Sequence, residues 1–347
     1  MKDLRIGFIG TGWVAEVHAK SLAKIPGITI AALYNHNITK AIAFSEKHAG
    51  GKAECFEDWG RMLRTQKLDA LYVGLPPGAH VGQTELAAEL GIHLMLEKPI
   101  ALTLERATSI YNAVKKAGVI CEIGHHMRHS LPVRKLKQML LDGTAGKPLM
   151  MQGRFFVNGM FPAWWRDPNM GGGQLVEQAI HIYDLARHFM GEPETVCAFA
   201  DNLFHRRFAD YRVDDVSASV IRFKNGSIAS LCASNCADPK AGGVKVSVQC
   251  EKVIVEFTGS DSATFVHTGG KIADEINRGE GSYVREDVAS TQNAYDELSA
   301  DFIGAIRNGT PLRSGLEDGL ESLRLVLAAA KSAKSGGAAQ LLCPDLG

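Results

Sequence analysis

The chain has 347 residues, 46% of them hydrophobic, and its 38 basic and 38 acidic side chains give a formal net charge of +0. That length can bury a large core and predicts two domains, while the balanced charge and the lack of a basic tract exclude nucleic acid and anionic membrane surfaces as partners. No apolar run approaches the ~20 residues of a membrane span, and a strand begins without the basic and apolar segments of a leader, so the expected location is cytoplasmic.

The first predicted strand, Arg5 to Gly10, runs into Gly10-Thr11-Gly12 with Ala15 three positions on, followed by a helix over Trp13 to Lys24. This is the spacing of a dinucleotide-binding turn. Gly10 allows the tight bend, Gly12 lets backbone approach a pyrophosphate, Ala15 lets helix and strand pack closely, and the helix N-terminus, with Trp13 and Val14, aims amides at phosphate. Further strands at Ile28 to Tyr34, Leu68 to Leu75, His93 to Leu96 and Val119 to Ile123 alternate with helices, which predicts a doubly wound parallel sheet over residues 1–124. Its ligand is expected at the C-terminal strand ends. Those ends carry Asn35 and His36, with Lys40 beyond them; Leu75-Pro76-Pro77, with His80 opening the next helix; and Glu97-Lys98-Pro99, where the proline forces a bend, through a cis bond if one forms, that puts Lys98 at the strand tip.

Residues 125–347 change rhythm and predict an α+β domain. A helix at Leu131 to Leu141 precedes a strand at Leu149 to Phe156, a glycine-led helix at Gln174 to Phe189, and strands at Val216 to Phe223, Ser227 to Ala233 and Val244 to Phe257. The Lys224-Asn225-Gly226 turn signals a hairpin, hence a large, open, mostly antiparallel sheet. Two helices, Asn293 to Asn308 and Gly315 to Ser335, close the domain, and the polar stretch Gly269 to Glu286 reads as a mobile loop. The seven cysteines, Cys343 among them, are scattered and odd in number, which reads as free thiols in a reducing compartment. Cys232 and Cys236 lack a second pair to complete a tetrahedral set, and the adjacent rings among His125, His126 and His129 point apart, so no metal is expected.

After Gly171-Gly172-Gly173, Glu177, His181 and Asp184 are spaced four and three residues apart and share one helical face. The spacing is compatible with a satisfied core histidine beside a surface carboxylate, or with a polar stripe used in chemistry. Just upstream, Trp164, Trp165 and Arg166 either wall a sugar site, by stacking on its C–H face and binding hydroxyls, or pack their loop onto the helix. Arg128, at the crossover into the second domain, is expected to face the cleft.

Together the glycine turn, Glu97-Lys98-Pro99 and the glycine triplet leading to Glu177, His181 and Asp184 resemble the Gfo/Idh/MocA family of sugar and polyol oxidoreductases, over nearly the whole chain. The resemblance implies a Rossmann domain and a substrate domain whose open sheet forms a homodimer or homotetramer. It makes Lys98 and His181 the catalytic pair, with Glu177 beside them where Asp is usual, all three at the substrate; Trp164, Trp165, Arg166 and Arg128 join them as candidate substrate contacts from the residue reading above alone. It implies an NAD or NADP cofactor held by the strand-end residues named above, Glu97 and Lys98 included. The chain departs from the family at Asn35, where Asp usually binds the ribose hydroxyls of NAD. The missing carboxylate removes repulsion against a 2′-phosphate that His36 or Lys40 could pair, which favours NADP. Ala179 in place of a usual glycine narrows the pocket, and Leu75 replaces a common hydroxyl residue. The expected reaction is hydride transfer between a sugar or polyol CH–OH and nicotinamide. Two other readings stay open: net glycoside hydrolysis through transient oxidation, and a regulator that binds dinucleotide without catalysis.

Overall fold

The computed structural model describes residues 3–238, 240, 242–271 and 283–342. They form two compact units, one of the residues up to His126 with Tyr295–Leu320, the other of Met127–Ala294 with Glu321 onward.

In the first unit β1 (Leu4–Ile9), β2 (Ile28–Tyr34), β3 (Glu54–Phe56), β4 (Ala70–Val73), β5 (His93–Leu96) and β6 (Cys121–Ile123) make a parallel sheet in the order β3-β2-β1-β4-β5-β6. Strand β4 is buried at every residue, as an apolar run covered by helices on both faces must be. The helices are α1 (Trp13–Leu22), α2 (Ile38–Ala49), α3 (Trp59–Thr65), α4 (Gln83–Glu89) and α5 (Leu104–Ala117). Ends are set by local chemistry: the Asn37 side chain accepts the Thr39 N–H to start α2, and Gly50 at φ 58° ends it. Because the strands are parallel, Gly10, Asn35, Gly74 and Glu97 follow the C-terminal ends of β1, β2, β4 and β5 along one edge.

Three details differ from the sequence reading. Strand β3 was not expected, being only three residues long. His80 does not open α4; it closes a 3-10 turn over Pro77–Ala79, and α4 begins after Gly82 at φ 124°. The apolar pattern puts Val14, Val17, Ala19, Leu22 and Ala23 on the inner face of α1; the buried residues are Ala15, His18, Ala19, Ser21 and Leu22, so only Ala19 and Leu22 are shared.

The second unit continues with α6 (Leu131–Leu141), β7 (Pro148–Phe156), a π turn over Gln174–Gln178, α7 (Ile180–Met190), β8 (Pro193–Asp201), β9 (Val216–Phe223), β10 (Ile228–Ser234), β11 (Gly243–Cys250), β12 (Val253–Thr258), β13 (Ser262–His267) and β14 (Val284–Ala289). Helix α8 (Ala294–Asn308) and helix α9 (Leu316–Lys334) follow, then β15 (Gln340–Leu341). Among the described residues the sheet has nine strands in the order β14-β13-β12-β11-β7-β10-β9-β8-β15. All its pairs are antiparallel except β7 with β10, since β7 inserts between two meanders made later in the chain. Burial alternates along β9, so one sheet face is covered. Gly153 in β7 makes the cover close: a Cβ there would lie 2.8 Å from the Leu231 side chain and 3.7 Å from Cβ of Ile182 in α7.

The expected strand Val244 to Phe257 is two strands, β11 and β12, reversing at Glu251 and Lys252. The end of the expected loop Gly269 to Glu286 is strand β14, while 272–282, like Cys343, lies outside the described residues. The two closing helices do not stay together. Leu298, Phe302 and Ile303 of α8 join the core of the first unit with Leu4, Ile6, Phe8, Tyr72 and Met95, and α9 starts there before continuing in the second. Among the described residues no helix is long and apolar enough to cross a membrane.

Candidate functional site

The glycine turn after β1 is built for close approach. Gly10 sits at φ 90°, and a Cβ on it would lie 2.4 Å from the Gly74 carbonyl oxygen. Gly12 precedes α1, no side chain caps that helix, and a Cβ there would meet nothing within 4 Å. Open space at uncapped helix amides fits a pyrophosphate. Val14 packs toward Gly74, Trp13 is 73% exposed, and Leu75 and Pro76 are half-buried beside buried Pro77. Asn35 is buried and ties β2 to the turn: its Nδ2 donates to Thr11 Oγ1 at 2.7 Å, and its Oδ1 accepts the Asn37 N–H at 2.9 Å. His36 and Lys40 are exposed. Burial, then the Arg106 charge, lowers His80 to about 4, so it stands neutral near pH 7. Replacing Gly10 with Ala should abolish dinucleotide binding by forcing β1 from β4, at a backbone cost on the order of 1–3 kcal/mol before the clash is counted; titration with reduced dinucleotide checks this.

At the tip of β5 the Lys98–Pro99 bond is cis and Lys98 is half-buried. Glu97 is 7% exposed. Its carboxylate, expected at the cofactor, is instead engaged within the protein: Oε1 lies 2.8 Å from His18 Nε2, and Oε2 accepts the Lys98 N–H at 3.2 Å. His18 was missed from sequence, although a histidine on the α1 face shared by Ala15, Ala19 and Leu22 was the signal for it.

In the second unit the glycine triplet is clamped. A Cβ on Gly171 would lie 2.5 Å from the Trp165 carbonyl oxygen, and one on Gly173, at φ 85°, 2.5 Å from Asp214 Oδ1. Asp214 Oδ2 accepts the Leu175 N–H at 2.8 Å, Ser217 donates to Gln174, and the Ala179 N–H reaches the Gln174 carbonyl in a wide turn of the kind that re-aims side chains at functional sites. Burial, opposed by the Leu175 N–H, raises Asp214 to about 7. The turn carries Glu177, whose Oε2 accepts the Trp165 indole N–H at 2.8 Å. His181 follows in the first turn of α7, 6% exposed, its ring stacked 6.0 Å from Phe155.

The other expected substrate contacts fare differently. Arg128, expected to face the cleft, is 4% exposed, and its Nε and Nη2 grip Asp184 at 2.8 and 2.7 Å. Asp184, 1% exposed, also accepts from Ser322, so the expected polar stripe divides into Glu177 and His181 at one end and an interior ion pair at the other. Trp165 is 2% exposed, stacks on Phe161 and donates its indole N–H to Glu177. Trp164 is half-buried, and Arg166 pairs with Asp210.

A parallel sheet with a glycine turn, a lysine at a strand tip, and a separate mixed-sheet unit bearing an acid–histidine turn together define a dinucleotide-dependent oxidoreductase. Comparison with known families agrees in both halves. The oxidoreductase family's NAD-binding Rossmann fold matches residues 4–125, and its C-terminal alpha/beta domain matches residues 137–341. The chain belongs to the Gfo/Idh/MocA oxidoreductase family. It is 26% identical over 355 residues to the D-glucoside 3-dehydrogenase of Escherichia coli, covering 97% of each chain, and 27% identical over 334 residues to the myo-inositol 2-dehydrogenase of Thermotoga maritima, covering 95% of this chain and 96% of that one. A solved levoglucosan dehydrogenase in complex with NADH and levoglucosan shares the fold with a TM-score of 0.88 at 21% identity, over 99% of this chain and 100% of that one.

Proposed function

We propose that the protein oxidises or reduces a CH–OH group of a sugar, inositol or related polyol, with Lys98, Glu177 and His181 as its working side chains. The observation that carries this reading is the clamped glycine turn, which fixes Glu177 on Trp165 and sets His181 one helical turn later. A carboxylate and an imidazole so tightly held fit chemistry better than packing alone. When bound, the nicotinamide dinucleotide supplies the hydride acceptor or donor. The chain's own part is to hold the substrate oxygen with the Lys98 ammonium, which steadies developing negative charge, and to take the hydroxyl proton on the neutral imidazole of His181, whose type has an unperturbed pKa of ~6.5 near working pH. Glu177 binds a neighbouring hydroxyl. The test is a panel of sugars, sugar acids and inositols with NAD and NADP, followed by nicotinamide absorbance. Turnover of one such substrate supports the reading, and silence across the panel with intact dinucleotide binding overturns it.

For the cofactor we favour NADP. Asn35 puts an amide where a carboxylate would repel a 2′-phosphate, and His36 and Lys40 are exposed nearby in sequence. Asn35→Asp should raise the KM for NADP by about 10- to 100-fold, as a like-charge contact costing a few kcal/mol requires, and change that for NAD much less. Equal effects on both would refute the assignment. The open sheet face, with Phe199, Val220 and Ile228 at 65%, 54% and 46% exposure, supports a homodimer or homotetramer; light scattering distinguishes these from a monomer.

A further inference from the structure

A carboxylate as buried as that of Glu97 is costly unless its charge is met. Three contacts meet it. His18 reaches one oxygen at 2.8 Å from α1, the Lys98 N–H reaches the other at 3.2 Å, and the Lys98 ammonium charge faces it, while burial lowers His126 beside it to about 4 and leaves that ring neutral near pH 7. Burial pushes Glu97 up, but the His18 hydrogen bond and charge, then Lys98, reverse this and hold it below the usual carboxylate range. The carboxylate also lies against Gly124, filling the space that a side chain there would need: a Cβ would lie 2.7 to 2.8 Å from its carbon and both oxygens. His18 is equally fixed: 2% exposed, its ring lies edge-on to Tyr72 at 5.1 Å and to Tyr295 at 5.5 Å, and Tyr295 stacks on His126 at 4.4 Å.

We infer that His18 and Glu97 are a positioning pair for Lys98: the imidazole on α1 fixes the carboxylate, which holds the lysine's own N–H and sets a negative charge beside its ammonium. The inference rests on the proposed role of Lys98 and adds to it. Helix α1, whose N-terminal amides face the dinucleotide turn, thereby also sets the posture of the lysine on β5.

The test compares His18→Leu, His18→Gln and Lys98→Met in the full-length protein, using the substrate found in the panel above. For His18→Leu, kcat should fall by about 10²-fold, the scale of a displaced reacting group, while the Kd for reduced dinucleotide, read by fluorescence, stays as in the parent. The acid limb of its kcat/KM profile should move to higher pH, because Glu97 without its imidazole takes up a proton more readily. His18→Gln, whose amide still donates to Oε1, should recover most of the turnover and the parental limb. Parental kcat and limb in His18→Leu, or His18→Gln as impaired as His18→Leu, would overturn the pair. Should His18→Leu not fold, Glu97→Gln keeps the size and removes the charge: lost kcat with parental dinucleotide affinity supports the pair, and unchanged kcat overturns it. Lys98→Met separates the two levels. If it retains turnover, the proposed role of the lysine and the pair both fall; if it is inactive while His18→Leu is normal, only the pair falls.

Discussion

His181→Ala is expected to lower turnover by about 10²- to 10⁴-fold, the usual worth of a positioned general base, while the dinucleotide binds as before. The imidazole is 6% exposed against Phe155 in the first turn of a helix whose approach is fixed by Gly171, Gly173 and Asp214, so removing the ring leaves a small hole rather than a rearranged turn. Dinucleotide titration by fluorescence and steady-state rates on one preparation separate the two effects. Added imidazole entering the vacated space should restore part of the rate. Undiminished turnover in this variant would end the case for His181 as the proton acceptor.

Asp184→Ala should destabilise the second unit by about 3–5 kcal/mol, because it removes the carboxylate that grips a buried guanidinium. Arg128 has two donors committed to Asp184, and Ser322 would lose its acceptor at the same time. The neighbouring His188, already held well below the ordinary histidine value by burial and then by the Arg128 charge, would face that charge without the relief Asp184 gives. For a unit of this size the loss corresponds to a fall in melting temperature of roughly 10 °C. A double variant, Arg128→Met with Asp184→Leu, should recover much of it, since the penalty is one of unmatched charge rather than lost shape. A single variant melting like the parent would show that the pair carries little stability.

The Rossmann half was legible because each signal in it is local. Gly10 and Gly12 mark a turn by their own freedom, the strands are continuous apolar runs, and Pro99 fixes a bend one residue after Lys98. What escaped reading depends on partners remote in sequence. His18 looks like any helical histidine until Glu97 is brought beside it, and Arg128 looks available until Asp184 takes it. Trp165 was legible as an aromatic near the glycine triplet, but whether its indole faces ligand or supports Glu177 depends on the backbone path that the triplet permits. In the second sheet the hairpin at Lys224-Asn225-Gly226 announced itself by its turn, whereas the parallel pairing of β7 with β10 has no local signature.

The discontinuous core of the first unit has a consequence for biosynthesis. Phe302 and its neighbours on α8 seal a sheet whose last strand was translated long before them. On the ribosome that sheet must wait, one flank bare, while β7 to β14, eight of the nine strands of the second sheet, are made. A premature stop before Ala294 would therefore leave Phe8, Tyr72 and Met95 without their lid, and the nascent chain is most exposed to chaperones and proteases over this interval.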